Sequence, residues 1–152
     1  MTDKEIADLL DRGYRYALSL THDGPAAEDL LQDAWSGVLA SGGTWTKPYL
    51  FRAIKNKWID VHRRGQVVTF QPLELDIEVA PNVGDLAWDL DAALSTLRPQ
   101  EREALYLNVV EGWTAEELSE RLDRPRNTIL SLIHRARTKL KDLLTVTSEV
   151  NP

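Results

Sequence analysis

The sequence predicts an all-α chain: two small helical domains, residues 1–65 and 87–145, joined by an acidic linker at 66–86. Three observations predict it. Apolar residues recur at spacings of three and four over most of residues 4–63, which is the helical period. That period stops at 65–86, where Pro72, Pro81 and Gly84 punctuate the chain. It resumes at Leu86 and ends in a short capped helix, a tight turn and a basic helix, the pattern of a helix-turn-helix.

Taken in order, Ile6, Leu9, Leu10, Gly13, Tyr14, Ala17 and Leu18 form one stripe of a helix over 4–20. The stretch THDGP (21–25) is a turn by composition, and Pro25 opens a second helix, with Glu28 and Asp29 placed in its first turn. Leu30, Leu31, Ala34, Trp35 and Val38 carry that helix to about Ala40, where SGGT (41–44) breaks it. A third helix is expected from Lys47 to Arg63, with Leu50, Phe51, Ile54, Trp58 and Val61 as its stripe and Gly65 as its end. Within the linker, LELDIEV (73–79) alternates apolar and acidic residues as a strand does. A lone strand has no partner, so the segment reads as extended, with a short strand at most. Further helices are expected at 86–96, 100–111, 114–122 and 126–144. Arg98-Pro99 separates the first two, Gly112 ends the second, and Thr114 to Glu117 form a capping box.

A hydrophobic content of 43% is enough for a core. The absence of cysteine removes disulfides, thiolate metal sites and a Cys nucleophile, and fits a cytoplasmic protein. The N-terminus reads as no signal peptide, and no stretch approaches the roughly 20 apolar residues of a membrane span. The net charge of −6 argues against a generic polyanion binder, but the charges are unevenly placed. Residues 65–90 carry five acids and no base; Lys47–Arg64 carries six bases and one acid; Arg124–Lys141 carries six bases and no acid. Two basic patches flanking an acidic connector suggest nucleic-acid contact. His22, His62 and His134 are scattered, and neither a metal motif nor a phosphate loop is present, so no catalytic residue, metal or cofactor is expected.

Three constellations refine this. On AEDLLQDAW (27–35) Asp29, Gln32, Asp33 and Ser36 share one polar helical face. In PYLFRAIKNKWIDVHRRG (48–65) Arg52, Lys55, Asn56, Asp60, Arg63 and Arg64 interleave with Tyr49, Phe51 and Trp58, a composition suited to unstacked single strands. Phe51 itself reads better as core. In NTILSLIHRARTKL (127–140) a wheel at about 100° per residue puts Ile129, Leu132, Ile133, Ala136, Leu140 and Leu143 on a packing side. Asn127, Ser131, His134, Arg135 and Thr138 fall opposite, and Leu130 lies on a flank with Arg126, Arg137 and Lys141.

AEDLLQDAW, then YLFRAIKNKWIDVHRR, then an acidic linker, then LSTLRPQEREALYLNVVEGWTAEELSERL and NTILSLIHRARTKL together resemble a bacterial RNA polymerase sigma factor of the extracytoplasmic-function group (group IV, sigma-70 family). The resemblance covers about residues 5–144. It implies sigma domain 2 at 1–65, built as a three- or four-helix bundle, and sigma domain 4, a helix-turn-helix, at 87–145. Asp29, Gln32, Asp33 and Trp35 would dock on the β′ clamp helices of core RNA polymerase, and domain 4 on the β flap. Arg52, Lys55, Asn56, Asp60, Arg63 and Arg64 would melt and grip the minus-ten element, with SGGTWT (41–46) near a flipped base. Thr114, Arg126, Asn127, Thr128, Ser131, His134, Arg135 and Arg137 would contact the minus-thirty-five element. Promoter DNA and an anti-sigma factor are the further partners implied, with no membrane insertion. Leu130 and Leu132 stand where the family pattern has Lys and Arg, which lowers the expected phosphate contact. The alternatives are a sigma-like decoy that binds polymerase or an anti-sigma factor without initiating, and a free-standing helix-turn-helix dimer.

Overall fold

A computed structural model describes residues 2–42, 46–68 and 90–149, with side chains to Arg64 in the middle segment and to Leu144 in the last. All seven described elements are α-helices, and the chain divides into two compact units, Met1–Asp76 and Ile77–Pro152. The strand-like stretch 73–79, and residues 86–89 of the fourth expected helix, lie outside the described residues.

The first unit holds α1 (Asp3–Thr21), α2 (Gly24–Ser41) and α3 (Lys47–Val68), each packed on the other two. Local chemistry sets the ends. Thr2 caps α1 in a reciprocal box: Glu5 N–H donates to Thr2 Oγ1 at 3.2 Å and Thr2 N–H to Glu5 Oε2 at 2.9 Å. His22 closes α1 in the left-handed region at φ 50°. One residue on, Asp23 caps α2 by accepting from Ala26 N–H at 3.1 Å. This cap starts α2 at Gly24, so Glu28 and Asp29 fall in its second turn, not the first. Gly42, at φ 63°, ends α2.

The core between these helices contains Leu9, Tyr16, Ala17, Leu20, Leu30, Ala34, Val38, Leu50, Phe51 and Ile54. Tyr16 and Phe51 stack with ring centroids 4.5 Å apart. Gly13 marks the tightest approach: a Cβ there would meet Leu50 Cδ2 at 2.9 Å, Leu31 Cδ1 at 3.0 Å and Ile54 Cδ1 at 3.3 Å. α3 departs from expectation in two ways. It continues through Gly65 to Val68, because one glycine costs a helix only about 1 kcal/mol and no proline follows until Pro72. Val61 repeats the helical phase of Ile54 yet is 59% exposed. Val61 lies in the half of α3 that also exposes Asp60, Arg63 and Arg64.

The second unit holds α4 (Leu90–Ser95), α5 (Pro99–Val109), α6 (Ala115–Leu122) and α7 (Arg126–Glu149). α7 packs on all three others around Ala93, Leu97, Ala104, Leu107, Trp113, Leu118, Ile129, Ile133 and Ala136. It reaches five residues beyond Leu144, since no Gly or Pro interrupts 145–149. α5 stops at Val109, two residues short of expectation. Gly112 then turns at φ 75°, and Trp113 N–H returns to Leu107 O at 2.9 Å.

Polar groups enter this core at the start of α5. The Arg102 side chain donates to Leu97 O at 2.8 Å and Leu94 O at 3.4 Å, occupying carbonyls around the end of α4. Burial pulls the Arg102 guanidinium below its ordinary pKa, and Glu101 partly opposes that. Glu101, 1% exposed, accepts through Oε1 from Arg98 N–H at 2.9 Å and from Lys139 Nζ at 2.9 Å.

Two substitutions test this packing. Gly13→Leu should destabilise the full chain by about 1–3 kcal/mol in urea unfolding, the usual cost of overpacking. Lys139→Met should cost about 1–3 kcal/mol by leaving a buried carboxylate short of a donor. Adding Glu101→Gln to that variant should restore part of the loss, because the stranded charge disappears.

Candidate functional site

Three surfaces carry the residues expected to make contacts. On α2, burial of Ala27, Leu30, Ala34 and Val38 fixes the inward stripe. Asp29, Gln32, Asp33 and Ser36 are therefore exposed together, with Trp35 half-buried beside them. The result is an acidic strip edged by an indole, able to accept hydrogen bonds from a basic protein surface.

On α3, Leu50, Phe51 and Ile54 are buried, which turns Arg52, Asn56, Asp60, Arg63 and Arg64 outward. Lys55 is half-buried, its Nζ 5.2 Å from the centroid of the Trp58 ring, a cation–π distance. Trp58 stacks on His62 with centroids 4.8 Å apart and planes 18° apart. Sequence alone puts Trp58 both in the apolar stripe and among the aromatics interleaved with bases, without joining it to Lys55 and His62 in this three-residue ladder. Spacings of three and four between Lys55, Trp58 and His62 were the available signal. Of the loop SGGTWT, residues 43–45 lie outside the described residues. Ser41 and Tyr49 hydroxyls approach to 3.5 Å across it.

The helix-turn-helix runs from Thr114 to the end of α7. Thr114 is the N-cap of α6: its Oγ1 accepts from Glu117 N–H and its own N–H donates to Glu117 Oε1, both at 3.1 Å. Asp123 takes a left-handed conformation at φ 53°, Arg124 N–H donates to Ser119 O at 3.1 Å, and Ser119 Oγ donates to Arg124 O at 2.6 Å. These contacts hold the turn that launches α7. Along it, Ile129, Ile133 and Ala136 are buried and Leu132, Leu140 and Leu143 half-buried, while Asn127, Ser131, His134, Arg135 and Thr138 are exposed. Thr128 is half-buried, and Leu130 is 39% exposed.

The basic run is less free than its sequence suggests. Arg126 Nε donates to Glu116 Oε1 at 2.8 Å. Lys139 is paired with Glu101. Arg137 Nη2 reaches Asn108 Oδ1 at 3.4 Å, and Asn108 Nδ2 donates to Trp113 O at 2.9 Å. Arg121, on α6, covers the Trp113 ring at 4.3 Å. No local pattern signals the two carboxylates, which lie 10 and 38 residues from the bases they neutralise.

Both acids of the first turn of α6 are held below the ordinary glutamate range. For Glu116 the largest cause is a hydrogen bond from its own backbone N–H, then Arg126; for Glu117 it is the Thr114 backbone N–H. A carboxylate with a lowered folded pKa contributes stability above its unfolded pKa and loses it as pH falls through the folded value. Side-chain NMR titration should therefore give midpoints for Glu116 and Glu117 below the unperturbed 4.5. Arg126→Ala should move Glu116 upward and leave Glu117 nearly unchanged.

No helix among the described residues is long and apolar enough to cross a membrane. Residues 6–67 match the family model of sigma-70 region 2, and residues 87–140 that of sigma-70 region 4. The chain is 32% identical to the ECF RNA polymerase sigma factor SigE of Mycolicibacterium smegmatis over 93% of its own length, but spans only 61% of that protein. It is 28% identical to the ECF RNA polymerase sigma factor SigM of Bacillus subtilis, covering 94% of this chain and 95% of that one. With the RNA polymerase sigma factor CarQ of Myxococcus xanthus it shares 31% identity over 82% of this chain and 78% of that one. The fold is similar to that of the sigma factor RpoE of Bartonella quintana, solved in complex with the anti-sigma factor NepR. The TM-score is 0.70 at 24% identity, over 94% of this chain and 96% of that chain. With both regions present in order, a curated sigma factor matched above 30% identity over most of its length, and two further relatives of the extracytoplasmic-function group, the chain belongs to that group of the sigma-70 RNA polymerase sigma factors.

Proposed function

We propose that the chain binds core RNA polymerase and directs initiation at specific promoters. Residues 1–65 act as the polymerase- and minus-ten-binding domain, 66–86 as an acidic linker, and 87–145 as the minus-thirty-five-binding domain. The observation that carries this reading is the occurrence of region 2 and region 4 in order on one chain, each exposing a charged face beside its core. Asp29, Gln32, Asp33 and Trp35 meet the β′ clamp helices, and the second domain meets the β flap.

The work is positional, and no bond is made or broken by this chain. Exposed Arg52, Asn56, Asp60, Arg63 and Arg64, with Lys55, hold the opened minus-ten strand, offsetting an unstacking cost of a few kcal/mol per step. Asn127, Thr128, Ser131, His134, Arg135 and Arg137 line the helix offered to the minus-thirty-five groove, with Thr114 and Arg126 at its mouth. The partner of the RpoE neighbour supports an anti-sigma factor as a third class of partner. The cytoplasm, where polymerase resides, is the place of action.

Run-off transcription with core polymerase and genomic fragments tests the reading: initiation should occur from a discrete set of promoters. Core binding without initiation would make the chain a decoy, and failure to bind core would end both readings. Asp29→Asn with Asp33→Asn should weaken core binding while leaving thermal unfolding unchanged. Leu130→Lys should raise promoter affinity, steepen the salt dependence by ~1 contact and leave sequence preference unaltered.

A further inference from the structure

Arg126 is the first residue of α7, and Glu116 lies in the first turn of α6. Their contact joins the two helices of the helix-turn-helix through side chains that are both more than half exposed. We propose that Glu116 is a positioning residue that aims the Arg126 guanidinium so that its two terminal nitrogens meet the O6 and N7 of a guanine. The inference rests on the reading that α7 enters the major groove of the upstream promoter element.

The geometry favours a base over a phosphate. A guanidinium offers five N–H groups in a planar fork. In Arg126 only Nε is engaged, by Glu116 Oε1 at 2.8 Å, and the terminal nitrogens have no partner among the described residues. The engaged edge orients the plane and leaves the end-on pair of donors, the pair that meets guanine in the major groove. The N-terminal residues of a reading helix are those that reach base edges. A carboxylate 2.8 Å away cancels much of the arginine's charge and would itself repel a phosphate, whereas guanine presents two neutral acceptors. Holding the long side chain before binding also reduces the entropy lost on contact. Glu116 is in turn fixed by its place beside the Thr114–Glu117 capping box, so the support rests on α6 rather than on a loop.

The test uses the full chain assembled with core RNA polymerase and a pool of run-off templates randomised over the upstream element. The wild-type pool should enrich a guanine at one position. Glu116→Gln should lower discrimination at that position about ten-fold while leaving other positions and core binding unchanged. Arg126→Ala should abolish the preference, and Arg126→Lys should lose it while leaving the other positions unchanged, because an ammonium has no planar fork to pair with both guanine acceptors. Glu116→Asp, a shorter carboxylate, should recover part of what Glu116→Gln loses. A position-specific change of this kind would not follow from general loosening of the helix pair.

Two results overturn the proposal. In one, Glu116→Gln raises initiation from all templates evenly and steepens the salt dependence by ~1 contact; the glutamate is then only a brake on phosphate binding. In the other, the wild-type pool is selective but indifferent to Glu116. A wild-type pool with no selection at all overturns the underlying reading of α7 together with the pair.

Discussion

Small cores constrain everything else in this chain. A domain of about 60 residues buries only about 60% of the surface its unfolded chain exposes, so no helix can withhold its apolar stripe. In the first unit three helices meet pairwise, and at Gly13 they come so close that a single methyl group would crowd two leucines and an isoleucine. In the second, three shorter helices all lean on α7. Committing one face inward leaves the opposite face of α2, α3 and α7 free to be charged. Core and interface are thus two sides of the same helices, and a shift in packing register would rotate the functional residues with it.

That shared periodicity explains what was legible in the sequence. Every described helix was expected from apolar spacing, and the wheel for α7 separated Ile129, Ile133 and Ala136 from Asn127, Ser131, His134 and Arg135 as the burial pattern does. Leu132 retreats to the core edge and Leu130 stays outside. The misses are of other kinds. Gly65 failed to end α3 because a glycine is a weak breaker within a helix that is otherwise supported. Val61 has core phase yet is exposed, on the stretch of α3 that also carries Asp60, Arg63 and Arg64 outward. Asp23 was hidden inside a turn recognised only by composition. The Lys55–Trp58–His62 ladder is visible as spacing, but periodicity alone puts Trp58 in the packing stripe and composition puts Lys55 on a strand-binding face, and neither joins them to His62.

Tertiary ion pairs form the part that no window of sequence reveals. Arg124 to Lys141 counts six bases and no acid along the chain, yet Glu116 and Glu101 reach in from α6 and α5 to neutralise two of them. A charge count from sequence therefore overstates the cationic face of the second unit. The functional meaning also differs between the two pairs. Arg126 keeps its terminal donors in solvent, while Lys139 turns its ammonium toward the core and serves the fold.

Glu101 and Lys139 have a consequence for the order in which the second unit assembles. The capping boxes at Thr2 and Thr114 close over three residues, so they can form as soon as their helices nucleate. The Glu101–Lys139 contact closes a loop of 38 residues, whose entropic cost one ion pair with a half-exposed lysine does not meet alone. It forms only once α5 and α7 have been brought together by Ala104, Leu107, Ile133 and Ala136. The pair is thus a late contact, absent from the earliest structure, and its energy acts mainly to slow unfolding rather than to speed folding.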